Sequence, residues 1–218
     1  MRAAVIAGAA AAFACGAVFL FAKEPAAAPN AAAGKHIEMI ASARGAARPG
    51  DVLFKKGPGF WGSLAARFSE NTDGYGHVGL VALGDNGALV VIHAGGDPVT
   101  RNGRVQRTAI DEFIGGSTAA ALYRPRLDEA MAGSALAYAQ GAVERNAPFD
   151  SDFSLDTEEA LYCTELIWRA LSSALGEDAI PEKSKRSGKV YVAIDDLQES
   201  SWLEEIWRSR ANEQAAGA

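Results

Sequence analysis

The sequence predicts an α+β domain built on a central antiparallel sheet, and three features point to it. Strand-length apolar runs cluster in the middle of the chain, two of them are joined by a tight Gly-Asp-Asn-Gly turn, and helix-period segments lie to either side. A βαβ series would instead alternate the two periods along the chain.

The elements follow in order. Arg2 precedes an apolar run from Ala3 to Ala22, the pattern of a secretory leader. That run is also long enough to cross a bilayer if retained, since about 20 apolar residues suffice. Residues 1–22 are therefore read as a signal peptide or an N-terminal membrane anchor, with a lipoprotein-type signal around Cys15 ranked third. An Ala/Pro-rich linker occupies 23–34, the folded body 35–208 and a polar flexible tail 209–218. Within the body, Ile37, Ile40 and Ala41 have helical spacing, and a turn at "RPGD" leads into a short strand ending at Phe54. "GFWGSLAARF" suits a short helix with Phe60, Leu64 and Phe68 on one side.

Two strands, "HVGLVAL" from His77 and "ALVVIHA" from Ala88, flank the "GDNG" turn and read as a hairpin. A strand "AAALYRP" and an alanine-rich helix from about Asp128 to Arg145 come next. The helix around Cys163 carries Leu166, Ile167, Ala170, Leu171, Ala174 and Leu175 on one face and stops at Gly176, a residue suited to a C-cap. "VYVAI" from Val190 reads as a last strand before an amphipathic segment containing Trp202, Leu203, Ile206 and Trp207.

The 218-residue chain has a formal net charge of −6, which offers no basic field and sets nucleic acid aside as a partner. It has two cysteines, Cys15 and Cys163, and the first lies in the leader. Cys163 thus has no intramolecular partner in an exported domain, which suggests a free reactive thiol or intermolecular pairing, although an unpaired cysteine also packs well as a small buried hydrophobe.

The hairpin brings His77 and His93 towards each other with the same side-chain parity, so both rings can share a face. A thiol near the start of a helix, beside an imidazole oriented by a second polar group, has what an acyl-transfer nucleophile requires. Two histidines and a cysteine also suit zinc, but no C-x-x-C or H-x-x-x-H spacing accompanies them, so neither metal nor cofactor is expected.

"GDVLF" from Gly50, "GFWGSLAARFS" from Gly59, "YGHVGLV" from Tyr75, "VIHA" from Val91 and "FDSDFSLDTEEALYCTELIWRA" from Phe149 resemble, in this order, the permuted NlpC/P60 papain-like cysteine hydrolases of the YiiX/YaeF type. The resemblance covers the body from about Arg48 to at least Ala170. It implies a circularly permuted papain-like fold, a central antiparallel sheet or small barrel packed on helices. Cys163 is the implied nucleophile, His77 the base and His93 the orienting third group. Relatives of this type often carry glutamate at the third position. Tyr162 is a candidate substrate-side aromatic, and Trp61, with Phe60 and Phe68, a candidate wall of a substrate cleft; packing is the bland alternative for each. Glu165 is expected to be structural, and the Cys163 N–H to serve as oxyanion donor.

Asp156 followed by Glu159 would start the helix before Cys163, whereas the resemblance favours a start near Tyr162. The expected function is a cell-envelope thiol hydrolase acting through an acyl-enzyme on a peptidoglycan-type peptide amide or an ester, with acyl lipid as the alternative substrate. Export to the periplasm, free or membrane-tethered, is the expected location. A catalytically silent binding module and a structural tether are the competing classes.

Overall fold

The computed structural model describes residues 31–57, 74–97, 100 and 102–209. The leader, the segment expected to form a helix around Trp61, and residues 210–218 lie outside the described residues.

Six strands form one antiparallel sheet: β1 (Val52–Lys56), β2 (His77–Leu83), β3 (Leu89–Asp97), β4 (Asn102–Ala109), β5 (Ala119–Pro125) and β8 (Leu203–Arg208). Their order is β4-β3-β2-β1-β5-β8, a linear sheet with β4 and β8 at its edges. The β2–β3 hairpin forms as its sequence predicts. Gly84 N–H bonds to Ala88 C=O at 2.8 Å, and the Asn86 side chain accepts the Ala88 N–H at 3.0 Å.

Alternation along the strands gives the sheet two apolar faces. Val52, Phe54, Val78, Leu80 and Ile92 face α3 (Glu129–Glu144) and α4 (Cys163–Leu175). Leu53, Val81, Val91 and Leu122 face α1 (Ala31–Ala46) and α2 (Ile110–Ile114). The α3 helix starts where Asp128 accepts the Met131 N–H at 2.8 Å, and it buries Ala135, Ala139 and Ala142, whose small side chains permit close packing. The α4 helix ends as expected at Gly176, with φ of 71° in the left-handed region.

Several expectations are corrected. In α1 and the residue after it, Ala43 and Ala47 are sequestered, with Met39 and Ile40 partly so, whereas Ile37 is 64% exposed. Only the first residues of "VYVAI" are extended: β6 (Ser184–Arg186) and β7 (Lys189–Tyr191) form a separate two-stranded ribbon, and α5 (Ile194–Gln198) begins four residues after Val190. The segment beginning at Leu203 is an edge strand, and β4 is an edge strand that the sequence did not reveal. Asp156 starts no helix. The α4 helix begins at Cys163 with Tyr162 as its N-cap residue. In the preceding loop Asp150 accepts the N–H groups of Asp152 and Ser154, and Arg169 reaches back to the carbonyls of Leu155 and Thr157. Those bonds satisfy the loop backbone without a helical turn.

Candidate active site

The β2–β3 ladder runs from Leu83↔Leu89 to Leu80↔Ile92 and ends there. Just past its end the strands cross at Gly79. A Cβ on Gly79 would lie 2.4 Å from Val91 Cγ1 and 3.0 Å from His93 Cβ, so only glycine lets them approach so closely. Beyond the crossing, His77 and His93 stand diagonally on one face, and His77 Nε2 lies 2.9 Å from His93 Nδ1. His93 Nε2 continues the chain to Thr108 Oγ1 on β4, also at 2.9 Å. Phe113 of α2 packs against both rings, with centroids 5.4 and 5.0 Å away. The two imidazoles thus bond to each other, where a zinc site would have them converge on an ion.

Cys163 approaches from the other face of the sheet. Its sulfur receives the Val78 N–H, which puts the thiol against the peptide that joins Val78 to His77. The residues on either side of the cysteine clamp it. Tyr162 Oη accepts the Val192 N–H at 2.8 Å, and Thr164 Oγ1 donates to Val192 C=O at 2.6 Å. Glu165, fully buried, accepts the Tyr162 N–H at 3.3 Å and the Arg169 Nε–H at 2.8 Å. Tyr162, a candidate substrate-side aromatic, is 2% exposed and its hydroxyl accepts the Val192 N–H, an arrangement that matches its packing alternative. Trp61 lies outside the described residues.

Burial sets the electrostatics. Desolvation pushes the Cys163 thiol up to about 12, against the N–H groups of Val78, Thr164 and Cys163 itself, which favour the thiolate. The helix N-terminus is where the family resemblance favoured it, but its lowering effect is outweighed in this buried state. His77 is held well below its ordinary range by burial, then by His93 and Lys55; His93 is lowered to about 4 by burial and then Lys55. Burial raises Glu165 to about 7, with Arg169 opposing. The resting site therefore holds a neutral thiol and neutral imidazoles.

A cavity of about 430 Å³ opens beside the imidazole pair, lined by Lys55, His77, His93, Asn102, Arg104 and Gln106 together with glycines of the β3–β4 end. Cys163, 5% exposed, is not part of its lining. Lys55 and Thr108 were not anticipated. For Lys55 there was a readable signal, because it follows Leu53 by two residues and so continues an inward-facing strand position. For Thr108 there was none, because β4 itself went unrecognised.

Residues 46–205 match the family described as permuted papain-like amidase enzyme, YaeF/YiiX, C92 family. No functionally curated protein is a significant match. Among solved structures, a crystal structure titled metalloprotein yiiX, from Escherichia coli O157:H7, is similar with a TM-score of 0.60. The two share 18% identity over 75% of this chain and 98% of that one, a likeness of fold. Among the described residues no three His, Cys, Asp or Glu side chains are grouped to hold a metal ion.

Proposed function

Because this chain belongs to the permuted papain-like amidase family of the YaeF/YiiX type, we propose a cysteine hydrolase that cleaves amide bonds of a peptide-like substrate through Cys163. The observation that carries the reading is the thiol against the His77–Val78 peptide, with His77 in turn bonded to His93.

His77 uses Nε2 on His93, and in this reading its other nitrogen, Nδ1, takes the thiol proton. In that tautomer Nε2–H donates to His93 Nδ1, and His93 Nε2–H donates to Thr108 Oγ1, so the protons run one way along the chain. A thiol held protonated by burial loses its proton during attack, not before it. Sulfur adds to the substrate carbonyl as His77 takes the proton. The Cys163 N–H at the helix start faces the developing oxyanion. Collapse expels the amine, which receives the proton from His77 and leaves a thioester. Water, deprotonated by His77, then releases the acid and restores the thiol.

The hydrogen-bonding side chains of Asn102, Arg104 and Gln106 in the cavity beside the imidazoles favour a peptide amide over a lipid acyl chain. The apolar run in residues 1–22 supports an exported enzyme, free in the periplasm or tethered at the membrane, with peptidoglycan-type stem peptides as its substrate. Among the described residues no helix is long and apolar enough to cross a membrane.

A p-nitrophenyl acyl ester tests the chemistry. Wild type should release a burst of nitrophenol and gain the acyl mass on the peptide containing Cys163, whereas Cys163→Ala should do neither. His77→Ala should acylate slower by about 10²–10⁴, the range for loss of a general base. Equal acylation by wild type and His77→Ala would remove His77 from the mechanism. Mass spectrometry of stem-peptide fragments and acyl lipids incubated with the enzyme decides the substrate, and exclusive cleavage of the lipids would overturn the amide reading.

A further inference from the structure

The sheet face that carries the imidazole pair also carries two cations that no carboxylate among the described residues neutralises. Lys55 lies directly across from His77 in the β1–β2 register. Its ammonium donates to Phe113 C=O at 2.8 Å and sits 4.4 Å above the Phe113 ring, so it is held in place at the half-buried rim of the cavity. Arg104, on β4, donates to Asn146 Oδ1 at 3.1 Å. Among the described residues neither cation forms a salt bridge, and no acidic side chain lines the cavity. This chain has 27 acidic residues against 21 Lys and Arg, so a lack of available carboxylates does not explain the pattern. A half-buried ammonium without a counter-charge costs stability unless something supplies one.

We propose that Lys55 and Arg104, with the amides of Asn102 and Gln106, form a subsite for an anionic group, carboxylate or phosphate, carried by the substrate near its scissile bond. The inference rests on the hydrolase reading above and names the substrate class it acts on. The cavity pairs a point charge, Lys55, with a planar fork, Arg104, and two side chains able to donate hydrogen bonds complete an oxyanion site. Its position gives the anion a second effect. Lys55 repels a proton on either imidazole, and a bound anion cancels that repulsion, so the correct substrate makes His77 a stronger base as it binds.

The test measures binding and needs no turnover, so it can fail while the hydrolase reading stands. Full-length Cys163→Ser is titrated with N-acetylglycine, with N-acetyl-O-phosphoethanolamine and with the neutral N-acetylglycinamide, and the imidazole resonances of His77 and His93 are followed by NMR. At least one anion should bind about tenfold tighter than the neutral amide, a charge-assisted contribution, and the better of the two identifies the substrate group. Lys55→Met should reduce the preference to about twofold or less, Lys55→Arg should retain it, and Arg104→Gln, at an exposed position, should weaken it several-fold without disturbing the fold. Binding of the amide as tight as both anions, absence of any anion binding, or an undiminished preference in both Lys55→Met and Arg104→Gln would each overturn the subsite.

Discussion

Asp51 and Lys55 lie at opposite ends of β1 on the same side of the sheet, yet their charges are treated in opposite ways. Asp51, 1% exposed, takes two bonds from the Arg124 guanidinium at 2.8 and 2.9 Å and a third from the Arg48 N–H at 2.8 Å. Lys55 has a carbonyl and an aromatic ring but no carboxylate. At the paired end the buried carboxylate has a guanidinium and a backbone N–H as partners. The other end leaves cations facing a cavity and holds its thiol and imidazoles neutral by burial.

The largest effect should come from breaking the satisfied end. Asp51→Ala leaves Arg124 without its partner and should cost about 2–3 kcal/mol in urea unfolding, below the usual figure for a buried pair because the Arg124 side chain is 36% exposed. Acylation per folded molecule should be unchanged. A large loss of acylation at full stability would erase the functional distinction between the ends.

Neutrality at the site end can be read from pH. Alkylation of Cys163 by iodoacetamide follows the thiolate, so with the thiol pushed up to about 12 the rate should rise about tenfold per pH unit and continue beyond pH 9, where an ordinary cysteine levels off. A plateau near pH 8 would show that the site activates its thiol at rest. His93, lowered to about 4, should contribute in the acid direction. Its folded-state pKa is depressed, so the stability it contributes is present above pH 6.5 and lost as pH falls from there towards 4. His93→Gln should flatten that part of the stability curve.

Removing the open charge should have little effect on stability. Lys55→Met deletes a half-buried cation that lacks a counter-charge, and the unfolding free energy should change by less than about 1 kcal/mol or rise. A loss comparable to Asp51→Ala would mean that Lys55 is a structural charge after all. Smallest of all, Gln106→Glu supplies the missing carboxylate. It should stabilise the fold by a few tenths of a kcal/mol, about what a solvent-accessible pair contributes. It should also abolish anion binding, making the cavity end resemble the Asp51 end.

The sequence by itself determined the features governed by near neighbours. Helical spacing and Gly176 marked the α4 helix, the "GDNG" turn marked the β2–β3 hairpin, and side-chain parity put His77 and His93 on one face, because each of these signals operates over a few residues. Cys163 stood out as a candidate nucleophile too, because the chain's other cysteine, Cys15, lies in the expected leader. Only the tertiary structure decided the rest. Val105 is the one fully buried residue of β4, so the strand shows no alternation to read, and it owes its existence to backbone bonds with β3 and with residues 147–149. The start of α4 at Cys163 depends on Asp150 and Arg169 satisfying the loop before it, the second of them from a full turn inside the helix. The placement of Lys55 across from His77 depends on a register between strands 22 residues apart, and the high pKa of the thiol depends on everything that covers it. Local geometry is written in short-range periodicity, whereas desolvation and cross-strand register are sums over partners distant in the chain, and at this site those sums set the charge.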